Sequence, residues 1–173
     1  MVFGVYQMAH YWQTFLALIK TPFLNTELIW GIVPLYFGWI LNELTSSKAS
    51  FRTAIQTGFT LVWAAAQWLY RYGHKQSSGA PAITVDALLA VNMIVTLLVL
   101  AMGLLALVSG LRRKFPKHFK FLGHSRFAAY FAIAIFPMQA HELPWTWDRA
   151  IAIALFAVPI WLIVHFGFMP LRK

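Results

Sequence analysis

The chain has 173 residues, 60% apolar and 17% aromatic but only 11% charged, with a mean hydropathy of +0.66. Soluble domains carry roughly 25% charged residues, so this chain lacks the polar surface of a soluble fold and reads as an all-α integral membrane protein. Its net charge of +9 then marks orientation and contact with anionic headgroups rather than nucleic acid, and the lack of cysteine excludes disulfides, thiolate zinc, Fe–S clusters and covalently attached haem.

Residues 1–20 lack the basic start of a signal peptide and read as part of the mature protein. Gln7, His10 and Thr14 form one polar stripe at helical spacing, which favours an amphipathic helix lying in the interface over a sixth span. A first span is expected over 24–44, with Glu27 and Glu43 near its ends, where carboxylates reach water. Gly31, Pro34 and Gly38 share a face of this span and suit close packing around a kink. A second span covers 53–70 and ends in Trp and Tyr, as a headgroup belt does. After it comes a Gly/Ser/Pro-rich linker, 71–86.

The third span, 87–111, runs 25 residues without a charge. As a helix it is about 37 Å long, against a hydrocarbon core of about 30 Å, so it crosses with some tilt. Shorter spans follow at 125–143 and 150–171. Small residues at 128 and 132, and at 150, 154 and 157, suggest that these last two spans pack tightly. The expectation is one membrane domain over 1–173, five spans plus the N-terminal helix, with no soluble domain.

Basic residues give the orientation. With residues 112–126 inside, Arg112, Arg113, Lys114, Lys117, Lys120 and Arg126 join Lys48, Arg52, Arg172 and Lys173 there, leaving Lys20, Arg71, Lys75 and Arg149 outside. Ten against four is a positive-inside bias, so the 112–126 loop and the C-terminus are expected to be cytoplasmic, in a plasma membrane. Headgroup binding is assigned to the six basic residues of the loop, with Phe115 and Phe119 dipping into the acyl boundary.

Three further groups of residues bear on chemistry. Gln56, Thr60, Trp63 and Gln67 share one face of the second span, and Asn92 and Thr96, with Gly103, one face of the third. Amides are costly in lipid, so these faces turn inward, as interhelical contacts or as a polar pathway. His124 and His165 fall at similar depth and leave open a b-type haem, although no cofactor is expected and no zinc spacing occurs. In the loop 138–149, His141 and Glu142 offer a proton or cation site. The plainer reading there has Trp145 and Trp147 as belt residues, Pro144 as the turn and Asp148 as the next helix's N-cap. No hydrolase motif is present, and nothing marks the chain as an enzyme.

Three functions stay open. The first is a structural or accessory subunit of a larger membrane assembly. The second is an oligomeric channel or transporter for a small solute, and the third a haem-binding redox protein. The expected partners are membrane lipids and other membrane subunits or further copies of the chain.

Overall fold

The structure is a computed structural model, and it describes residues 2–45, 51–77, 87–112 and 126–171. These are helical, without strands, and form six α-helices: α1 (Val2–Leu24), α2 (Thr26–Leu44), α3 (Phe51–Ser77), α4 (Ala87–Leu111), α5 (Arg126–Gln139) and α6 (Trp147–Gly167). A short 3-10 turn, Met169–Leu171, follows α6.

Two helices are long and apolar enough to cross a membrane, α4 from Leu89 and α6 continued to Leu171. The chain is thus a helical, membrane-embedded protein. A bent pair, α1 from Tyr6 with α2, passes the same test only if the two are taken together. Asn25 separates them and caps α2 by accepting from the Glu27 N–H at 3.0 Å, and the axes turn by 111°. Such a turn lays α1 steeply across α2. Its polar stripe follows suit: Gln7 and His10 are exposed, whereas Phe15, Leu18 and Pro22 are buried one helical face away.

The helices alternate in direction. Arg71 near the end of α3 reaches Glu27 at the start of α2 and Glu142 just past α5, whereas Glu43 at the end of α2 meets His165 at the end of α6. At the centre stands α5, in which every residue from 132 to 139 is buried. It touches α1, α2 and α3, and α4 packs on the outside of α3. The two most apolar helices are peripheral: only 22% and 17% of their most apolar stretches are buried. In water this would be unfavourable; in lipid it is where such helices belong.

Several sequence expectations change. The third span keeps its bounds, but α3 runs on to Ser77, so the start of the expected 71–86 linker is helix. Helix α5 stops at Gln139, because His141 takes a left-handed conformation, φ 58°. Its N–H bonds to the Met138 carbonyl at 3.1 Å and the Glu142 N–H to that of Pro137 at 3.0 Å. These two bonds make a Schellman cap with histidine where glycine is usual. Thr146, not Asp148, caps α6, its hydroxyl accepting from the Arg149 N–H. The expected tight contact between the last two spans is minor, because α6 lies mainly against α1. There it buries Ala152, Ile153 and Ala157, while Ala154 is exposed.

Candidate functional site

Polar side chains gather at the two ends of the bundle and along the seam joining them. Along the α2–α3 seam, the small residues of α2 face the polar stripe of α3. A Cβ on Gly31 would meet the Phe136 ring at 2.8 Å and the Gln67 Oε1 at 3.2 Å, and one on Gly38 would collide with the Thr60 hydroxyl. The Trp63 indole N–H donates to the Gly31 carbonyl at 3.1 Å. That contact sits beside the Trp30 carbonyl, which loses its helical donor because Pro34 has no N–H. Lower down, the Thr60 hydroxyl donates to the Gln56 carbonyl at 2.8 Å, and the Thr45 hydroxyl approaches Gln56 Oε1 at 3.3 Å. The buried Asn42 amide donates to the Thr57 hydroxyl at 2.8 Å.

At the seam's far end lies Glu43. It was expected to reach water near the end of its span. Instead it is fully buried, because the end of α6 covers it, and its Oε2 lies 3.0 Å from His165 Nδ1. An ionisable group buried inside a helical membrane bundle needs such a partner. His165 is therefore engaged with a carboxylate. His124, its proposed haem partner, lies outside the described residues, as do Arg113, Lys114, Lys117 and Lys120 of the basic loop. Arg112 is exposed just past α4, and Arg126 opens α5.

The opposite end is organised by Arg71, 8% exposed. Its Nη1 is 2.8 Å from Glu27 Oε2 and 3.8 Å from Glu142 Oε1. Next to it, the Tyr72 ring packs edge-on to His141, centroids 4.6 Å apart. The Tyr72 and Thr96 hydroxyls both point at Gln139 Oε1, at 3.5 and 3.3 Å. Gln139 and Asn92 are buried as well, and Gln139 Nε2 and Asn92 Oδ1 have no hydrogen-bond partner. Thus Thr96 is held against α5, while Gln56 and Thr60 belong to the α2–α3 seam. His141 packs on Tyr72 and Glu142 approaches Arg71, so both stand in the Arg71 cluster.

Two pockets open near this end. One, about 410 Å³, is lined by Glu27, Trp30, Gln67, Tyr70, Arg71 and His74. The other, about 460 Å³, lies between the starts of α4 and α6 against Val91, Trp145, Thr146 and Trp147. Among the described residues no group of three or more His, Cys, Asp or Glu side chains is placed to hold a metal ion.

Arg71, Tyr72 and Glu43 were missed as members of these clusters. For Arg71 the signal was present: the polar face of Gln56, Thr60, Trp63 and Gln67 continues one turn on to Arg71 and then to His74. No protein-family model, curated protein or solved structure matches the chain.

Proposed function

We propose that this chain is a small polytopic subunit of a larger membrane assembly, with a structural rather than catalytic role. In this reading α2 to α6 span the bilayer and α1 lies in its interface. The observation that carries it is the division of the surface. Polar side chains of α2, α3 and α5 face one another inside the bundle, while α2, α4 and α6 turn apolar side chains outward. Trp30, Val33 and Phe37 on α2, Ile94, Leu97 and Leu98 on α4, and Ile163 and Phe166 on α6 are all exposed. Such faces suit lipid and the apolar helices of neighbouring subunits. The excess of basic residues in 112–126 supports a cytoplasmic loop that grips anionic headgroups in a plasma membrane.

The test is extraction in a mild detergent followed by native mass analysis. Stoichiometric partner chains are the expected result; a stable homo-oligomer with no other chain would overturn it. That outcome would favour the second reading, an oligomeric channel or transporter. The Glu43–His165 pair supports that reading, because buried ionisable pairs mark ion and proton routes in transporters.

A further inference from the structure

The pocket of about 410 Å³ between the start of α2 and the end of α3 is lined by two kinds of surface. Two rings give it flat apolar area: Trp30, 80% exposed, and Tyr70, 57% exposed, with the His74 imidazole against Tyr70 at 4.0 Å between centroids. Beside them stand polar groups with accessible surface. The Glu27 side chain is 74% exposed, and its Oε2 accepts from Arg71 Nη1 at 2.8 Å, which leaves Oε1 to the pocket. Gln67 is partly exposed next to Gly31, where a Cβ would lie 3.2 Å from its Oε1. Among the described residues, the Gln67 amide, the Tyr70 hydroxyl and the His74 ring nitrogens make no hydrogen bond.

These groups select among ligand classes. A hydrocarbon chain would strip water from the Glu27 carboxylate and the Gln67 amide and return no hydrogen bond. The other pocket at this end suits hydrocarbon better, since its one hydroxyl, Thr146, already accepts from the Arg149 N–H. An organic ammonium would have to share Glu27 with the guanidinium 2.8 Å away, and an anion would meet that carboxylate directly. A neutral sugar ring meets neither obstacle. One face of a pyranose is a flat patch of C–H bonds, polarised by the oxygens, and it settles on the negative face of an aromatic ring. Its hydroxyls each donate and accept, and adjacent pairs match the planar edge of a carboxylate or an amide. His74 offers an N–H donor in either charge state. The volume lies at the lower end of small-molecule sites, roughly 300–1,000 Å³, which suits a short sugar unit and not a long chain.

We propose that this pocket binds a neutral sugar ring, free or as the headgroup of a glycolipid, stacked on Trp30 and hydrogen-bonded to Glu27, Gln67 and His74. Arg71 does not touch the ligand in this arrangement; it is buried behind Glu27 and fixes that carboxylate. The site does not depend on the accessory role.

The experiment is ligand-observed saturation-transfer NMR on the full chain held in an amphipathic polymer free of sugar. The probes are methyl β-glucoside, methyl β-galactoside and methyl α-mannoside, and transfer to the ring C–H protons of at least one is expected. For that probe, Trp30→Leu, at an exposed position, and Gln67→Met, which keeps the side chain's length without its amide, should each weaken binding by about two- to tenfold. Trp147→Leu removes a similarly exposed indole from the same end, outside this pocket, and should leave binding unchanged. No transfer to any probe, wild-type affinity in either pocket variant, or an equal loss in Trp147→Leu would overturn the site. A second arm, in phosphatidylcholine nanodiscs, adds the diacylglycerol glycoside that carries the same sugar. Displacement of the methyl glycoside beyond that achieved by free sugar at the same concentration identifies a glycolipid headgroup; displacement no greater than that identifies a soluble sugar.

Discussion

Gly58→Ala is expected to destabilise the bundle more than any other single methyl addition to a glycine of α3. A Cβ at position 58 would sit 2.5 Å from the Leu107 backbone nitrogen and 2.8 Å from the Gly103 carbonyl oxygen. Both neighbours are helix backbone, so neither can rotate away. Restoring ordinary contact requires α3 and α4 to part by nearly an ångström. That separation also loosens the contacts of Gly103 with Val62 and of Gly110 with Ile55 along the same seam. Overpacking of this kind costs about 1–3 kcal/mol, reduced by the roughly 1 kcal/mol that alanine gains over glycine in a helix. Two controls bracket it. At Gly38 the clash is with the Thr60 side chain, which can turn at the expense of its bond to the Gln56 carbonyl, so Gly38→Ala should cost less. A Cβ on Gly73 would meet nothing within 4 Å among the described residues, so Gly73→Ala should be neutral or stabilising by up to about 1 kcal/mol. Thermal unfolding of the three variants in one detergent gives the order. A Gly58→Ala protein as stable as Gly73→Ala would refute the backbone contact between α3 and α4.

Other consequences follow from the clusters. Glu27→Gln should cost about 1–3 kcal/mol, since it takes the nearest carboxylate away from a buried guanidinium. Asp148→Asn, in an exposed pair 4.0 Å from His10, should cost less than about 1 kcal/mol, and equal losses in unfolding assays would contradict the burial of Arg71. Glu43→Gln and His165→Gln should be non-additive, with a coupling of about 0.5–3 kcal/mol in a double-mutant cycle; additive losses would mean the pair does not interact. At the Schellman cap, His141→Gly should be more stable than His141→Ala by about 1 kcal/mol, because both lose the contact with Tyr72 and only alanine retains the left-handed penalty. Alanine equal to glycine there would argue against the positive φ.

The sequence made the apolar helices easiest to read, and α4 shows why. An uncharged run of 25 residues has one stable state in a bilayer, and its bounds coincide with the helix. The ends of α3 and α5 were less legible. Arg71 and His74 read as a polar linker, yet they extend the face that α3 presents to α2. The end of α5 depends on a left-handed histidine, for which the sequence carries no glycine signal. Glu43 was misread for a different reason. Its place near a helix end is local information, but its burial depends on α6, more than a hundred residues later in the chain. The polar faces on α3 and α4 were visible as periodicity, whereas which helix each one meets is set by packing alone.

In the proposed subunit these faces join helices and do not line an aqueous path. The chain has no native cysteine, so single cysteines at Thr60, Asn92 and Thr96 can be probed without background. They are treated with a membrane-impermeant maleimide in sealed vesicles of both orientations, with Glu27→Cys as the exposed control and denatured protein as the full-labelling standard. Labelling is expected at position 27 from one side only, and none at 60, 92 or 96 from either side. Labelling of all three buried positions in the folded protein would contradict it and place water along the seam.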